Sequence, residues 1–266
     1  MATIAAASDR RMSIGRVFNR AFATIGANPL TMFGISFLFG ALPSVVLKAL
    51  LQSPRATQTL PFSSTALLLT AGVALLTLAF NFLAQGALVR ATVAYSDGHP
   101  VSFAESALAG LRKILPLFGL AILLGLIVIF GLALLIVPGI ILYVILSVAT
   151  PALVEENSGI FGAFGRSAAL TKGARWNIFA LELVVLVIYW IISAVVGLLF
   201  LALIGFQNFA NAAQGQGGLS IGLIAVSAVS STLVITIIST IQTSLYVELR
   251  NWKDGPAAEA LTDIFG

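Results

Sequence analysis

Few residues in this chain could do chemistry. His99 is the single histidine, so neither a histidine-ligated metal cluster nor a histidine relay can be assembled. It stands in Ser96-Asp97-Gly98-His99-Pro100, a stretch with the composition of a turn. A catalytic Asp97/His99 pair would need a nucleophile, and nothing singles one out; we read a surface turn. The absence of cysteine excludes disulfides, thiolate metal sites and a cysteine nucleophile. No phosphate-cradling loop, zinc-binding HExxH or GxSxG elbow occurs. No catalytic residue, metal site or cofactor is therefore expected.

What is left are polar groups set in apolar sequence, which are functional candidates by default inside a bilayer. Glu182 follows Trp176 by six residues, about 9 Å along a helix past an interfacial aromatic. Two readings stand side by side: a carboxylate paired with an arginine such as Arg90 or Arg175, and the proton-coupling group of a transporter. Glu248 closes the last apolar stretch. Asn81 and Gln85, one turn apart, would face the same way and could hydrogen-bond to another helix. Thr232, Thr236, Ser239 and Thr243 form a stripe suited to close packing, or to a hydrophilic path. Gly119, Gly125 and Gly131, six residues apart, do not share a helix face and read as scattered packing glycines.

The elements that must position these groups are six long apolar stretches, approximately 29–51, 64–89, 114–136, 139–154, 176–204 and 219–247. With 59% hydrophobic and 9% charged residues, against roughly 25% charged in ordinary soluble domains, the chain needs lipid as solvent. Twelve of the fourteen Lys and Arg residues fall on one side of these stretches. Arg10, Arg11, Arg16 and Arg20 precede the first, and Arg90, Arg112 and Lys113 separate the second from the third. Arg166, Lys172 and Arg175 separate the fourth from the fifth; Arg250 and Lys253 follow the sixth. Only Lys48 and Arg55 lie opposite. Basic loops stay cytoplasmic, so both termini are expected inside. The net charge of +4 is spread over short loops with no basic, aromatic-interleaved stripe, which argues against nucleic acid.

A hydrocarbon core of about 30 Å needs roughly 20 helical residues. Only the fourth stretch falls short, after Val137-Pro138-Gly139, where a hairpin is expected. One helix over 114–154 would be about 60 Å long and would carry Arg166, Lys172 and Arg175 to the outside. Three segments have amphipathic patterns. In 102–115, Phe103, Ala107, Leu111 and Ile114 oppose Glu105, Arg112 and Lys113, behind a capping box from Ser102 to Glu105. In 12–26, Val17, Ala21 and Ile25 oppose Arg16, Asn19 and Arg20. In 158–172, Ile160, Phe161, Phe164 and Ala168 oppose Arg166. Such helices are expected in the headgroup plane, apolar face down, and suggest a threefold repeat of interfacial helix plus hairpin. Residues 1–28 could also pass for a transit peptide; a retained cytoplasmic segment is expected. The charge-free stretch 205–218 reads as a flexible external loop.

One stretch is familiar. Ala149-Thr150-Pro151-Ala152-Leu153-Val154-Glu155-Glu156-Asn157-Ser158-Gly159, continuing through Arg166, Ser167, Lys172, Gly173, Arg175 and Trp176, resembles the bacterial membrane domain that precedes the catalytic domain of some glycerophosphoryl diester phosphodiesterases. That domain also occurs in stand-alone inner-membrane proteins. The Asn28-Pro29 entry and the ending Leu249-Arg250-Asn251-Trp252-Lys253-Asp254-Gly255 are similar too. The resemblance implies a multi-span helical domain in a bacterial inner (plasma) membrane. The hydrolase of that family resides in a separate soluble barrel, so its name carries over without its activity. The expectation is an all-α polytopic protein: a six-span domain over 1–255 with three cytoplasmic interfacial helices, then a short cytoplasmic tail, 256–266. It would act as an anchor, scaffold or lipid-associated envelope factor, or as a small transporter or permease subunit. Membrane lipids are the expected partners, with a protein partner at the cytoplasmic face left open.

Overall fold

The computed structural model describes residues 12–51, 64–213 and 221–255. The connection 52–63, the end of the 205–218 loop and the tail 256–266 lie outside the described residues. Six helices are long and apolar enough to cross a membrane: Pro29–Leu47, Leu68–Ser96, Phe103–Ala133, Ile136–Glu156, Arg175–Ala202 and Ile224–Asp254. No strand occurs among the described residues. This is an all-α, multi-pass membrane protein.

Helix α1 (Ile14–Ala27) precedes the first span, which runs through α2 (Pro29–Ile35), a π-helical turn (Ser36–Ala41) and α3 (Leu42–Leu51). Pro29 starts α2, where its missing N–H is one of the donors a helix start leaves free. The second span is α4 (Ser64–Ser96) and the third is α5 (Phe103–Leu134). Then come α6 (Ile136–Leu146), α7 (Ala149–Glu156) and α8 (Gly159–Thr171). Helix α9 (Arg175–Ala213) and α10 (Ile221–Asp254) complete the chain.

The chain departs from expectation in four places. The amphipathic segment 102–115 is not a separate helix. It is the first half of α5, capped by Ser102 as its sequence suggested (Glu105 N donates to Ser102 Oγ) and continuing unbroken through Pro116. The hairpin turns at Leu135 (φ −163°, ψ 145°), and Pro138 sits inside the first turn of α6 instead of at the bend. A first-turn proline forfeits no helical hydrogen bond. The fourth span is then broken again between Leu146 and Ala149. Finally, 205–218 is not a loop throughout. The helix breaks at Gly205 (φ 78°, ψ 160°) and resumes to Ala213.

Glycine permits two close helix contacts. A Cβ at Gly86 would sit 2.9 Å from Gly110 Cα, and one at Gly110 would overlap the Leu83 carbonyl oxygen, so α4 and α5 meet backbone to backbone. Beside the hairpin, a Cβ on Gly131 would lie 2.9 Å from Gly139 Cα. A Cβ on Gly119 would instead lie 2.6 Å from Ile160 Cδ1, and one on Gly125 would meet nothing within 4 Å. Close approach of this kind is what small residues contribute in lipid, where apolar contact alone gives no preference for protein over solvent.

The buried core gathers at the basic end of the bundle: Leu88, Ala91 and Val93 on α4, Ala152 and Leu153 on α7, Ala163 and Leu170 on α8, Ile178 and Leu181 on α9, and Ile241 to Leu249 on α10. Toward the other end, Leu68, Leu75, Ile129, Phe130, Ile191, Leu198 and Val229 are exposed, a surface for acyl chains. Helices α4, α5 and α10 extend past their apolar stretches at the basic end, carrying a polar layer below the spans.

Candidate functional site

The charged side chains of the basic end are bound to one another. Glu248, 4% exposed on α10, accepts from Arg16 Nε of α1 at 2.7 Å, Arg20 at 3.5 Å and the Ser13 backbone N–H at 3.3 Å. Arg90 on α4 bridges Glu105 of α5 at 3.0 Å and Glu155 of α7 at 3.4 Å. Arg166 of α8 holds Glu156 of α7 at 2.8 Å and Asp254 of α10, while Tyr246 donates its hydroxyl to Glu156 at 2.8 Å. Arg250 closes on Asp97 at 2.6 Å, which removes Asp97 from any pairing with the exposed His99. Lys113 donates to the Leu153 carbonyl at 3.1 Å and to Asn157.

Asp254 and Glu156 raise the pKa of Arg166 above the ordinary guanidinium value, against the pull of burial. Burial lowers that of Arg20, with Glu248 opposing. Both arginines are cations at any physiological pH.

Every acid among the described residues has an arginine within ion-pair distance, except Glu182. The expected pairing of Glu182 with Arg90 or Arg175 is not what the fold provides, because Arg90 is taken by Glu105 and Glu155. Glu182 instead accepts from the Tyr143 hydroxyl at 3.3 Å, and its other oxygen is buried without a partner. The two side chains line a groove of about 430 Å³ between α6, α9 and α10, with Tyr189, Ile238 and Gln242 on its walls. A tyrosine in the fourth span, antiparallel to the fifth, was the available signal for this contact.

Asn81 and the threonines of the stripe are satisfied within their own helices. Asn81 does not reach another helix; its amide donates to the Thr77 carbonyl of its own helix at 2.8 Å. Gln85, one turn on, is half-buried. Thr232, Thr236 and Thr243 each donate to the carbonyl four residues back, a common fate of hydroxyls in membrane helices. Thr236 also reaches Ser36 Oγ in the π-helical turn at 2.6 Å, and Ser239 is buried. Through Thr236 the stripe packs against the π-helical turn of the first span.

The segment from Glu155 to Trp176 divides in two. Glu155, Arg166 and Ser167 are structural. Ile145 lies in the last turn of α6, whose final carbonyls have no helical partner. Its carbonyl accepts from Ser167 Oγ at 2.8 Å and Thr171 Oγ1 at 3.3 Å, one turn apart on α8. The buried face of α8 is thus Ala163, Ser167, Leu170 and Thr171, while Phe161, expected on the apolar side, is exposed. Likewise α1 turns Val17 and Ala21 into the protein, leaving Phe22 outside. Gly173 (φ 89°) makes the turn into α9 against Trp252. Lys172, Arg175 and Trp176 emerge from that turn onto the surface.

Residues 12–249 match the model of a family described as a domain of unknown function, DUF7847. The chain belongs to that family. The DUF7847 match takes in α1, five complete spans and the sixth up to Leu249, with every ion pair of the layer except those of Arg250 and Asp254. No curated protein and no solved structure matches the chain.

Proposed function

We propose that this DUF7847 protein is a non-enzymatic bilayer scaffold, associated with lipid along its spans and presenting a rigid basic face to the cytoplasm of a bacterial cell. One observation carries the reading: apart from Glu182, the described acids of the chain are spent in ion pairs that tie helices together. A catalytic or conducting site needs polar groups that converge on a substrate, and here they converge on each other. The likeness of residues 149–176 to the membrane domain of glycerophosphoryl diester phosphodiesterases supports the bacterial inner membrane and an accessory role. A protein partner at the basic face fits that role.

Reconstitution into phospholipid vesicles tests it. The expected result is retained phospholipid, no hydrolysis of glycerophosphodiesters, and no solute flux above protein-free vesicles under a pH gradient. Turnover or coupled flux would end the scaffold reading.

A transporter is the second reading, favoured by the unpartnered Glu182 oxygen beside Tyr143 in a groove. Flux that vanishes in Glu182→Gln would establish it, and flux indifferent to that change would reject its proton-coupled form.

A further inference from the structure

Beside the turn at Gly173, a groove of about 550 Å³ opens between α6 and the first turns of α9, within the roughly 300–1,000 Å³ range of small-molecule sites. Its walls are Val137, Ile140, Ile141, Val144 and Phe179, and at one end stand Arg175 and Trp176. Those same two residues, with Lys172 and Asn177, line a shallower and more polar hollow of about 270 Å³. An apolar slot and a cationic mouth thus adjoin at Arg175 and Trp176. Trp176 is 83% exposed and packs edge-on to Phe179 at 6.2 Å, the amphipathic arrangement favoured at headgroup level.

Charge sets this mouth apart. Arg16, Arg20, Arg90, Arg166 and Arg250 are all paired with acids, whereas Lys172 and Arg175, like Arg112 and Lys253 elsewhere on this end, are exposed with no acidic partner among the described residues; only Lys172 and Arg175 stand together at the end of an apolar groove. The nearby acids Glu156 and Asp254 are held by Arg166. Two cations uncompensated by protein, at the end of an apolar slot opening to the bilayer, complement a ligand with an anionic head and hydrocarbon tail. A zwitterionic head would bring an amine against them.

We propose that the groove between α6 and α9 is a binding site for one anionic phospholipid. Its acyl chain lies along Ile140 and Ile141, and its phosphate sits between Lys172 and Arg175. The site rests on the lipid-associated reading above and gives it an address and a headgroup class.

Native mass spectrometry of the full-length chain in detergent, titrated with phosphatidylglycerol or phosphatidylcholine, tests it. Phosphatidylglycerol should bind more tightly. Removing both charges, in Lys172→Gln/Arg175→Gln, should weaken it by about five-fold per cation, and Lys172→Arg/Arg175→Lys should restore it. Ile141→Trp should weaken binding by filling the slot, while Leu198→Trp, on the lipid face elsewhere, should not. Soluble glycerol phosphate should fail to displace the lipid. Equal binding of the two lipids, an unaffected double-charge variant, or displacement by glycerol phosphate would overturn the site. Phospholipid retained without headgroup preference would sink this site alone, whereas a chain that retains none would sink the broader reading with it.

Discussion

Glu248 shows how context decides what a charge is worth. It is almost fully buried, whereas the Glu105 side chain is 60% exposed, and both accept from arginines. An exposed ion pair contributes about 0–1 kcal/mol. Removing one partner of a buried pair costs about 3–5 kcal/mol, less here because Arg16 keeps access to water. We expect Glu248→Ala to destabilise the protein by about 2–3 kcal/mol and Glu105→Ala by under about 1 kcal/mol, measured by thermal unfolding in detergent. Equal effects would mean that Glu248 does not anchor α1. The pairing itself was invisible in the sequence: Glu248 and Arg16 are 232 residues apart, and only folding brings them together. Glu182 was legible as an intramembrane carboxylate, because its depth follows from counting residues after Trp176. Its partner was not, because choosing Tyr143 over Arg90 depends on Arg90 being taken by two other acids.

For the helices, apolar length and charge placement were enough to find the six spans, since bilayer thickness fixes how many apolar residues each needs. Helix ends were harder. Beyond the hydrocarbon, α4, α5 and α10 continue and carry Arg90, Glu105 and Arg250 into ion pairs between elements, a tertiary effect that hydropathy does not record. The break after Leu146 is one such case. Its stray Ile145 carbonyl is served by Ser167 and Thr171, so either hydroxyl alone covers much of the loss. Ser167→Ala/Thr171→Ala should cost about 1–2 kcal/mol, near the price of a lost helix cap, and more than either single change. Glycines sort the same way. Gly110→Leu must drive α4 and α5 apart at the Leu83 carbonyl, and we expect about 3 kcal/mol or more of destabilisation, or misfolding. Gly125→Ala meets no atom within 4 Å and should be neutral or mildly stabilising. If unfolding midpoints ranked these two variants in the reverse order, the backbone crossing would be wrong.

At the scale of the whole molecule, one end is a protein-packed layer of ion pairs and short helices, and the other is a set of spans facing lipid. That polarity explains why basic residues mark one side: on α1, α4, α8 and α10 they are the links of the layer as well as topological signals. Of the amphipathic segments read as lipid-facing, 12–26 and 158–172 turn Val17, Ala21, Ala163 and Leu170 into this layer, while Leu108, Leu111 and Leu115 of 102–115 stay exposed, a choice that periodicity alone cannot settle because protein and lipid are equally apolar partners. The cysteine-free chain permits a direct test with single cysteines and a membrane-impermeant maleimide. His99→Cys, Lys172→Cys and Lys253→Cys should all react from one side of the membrane, and Leu135→Cys and Phe206→Cys only from the other. Labelling of His99→Cys and Lys253→Cys from opposite sides would contradict the six-span arrangement and the single basic face built on it.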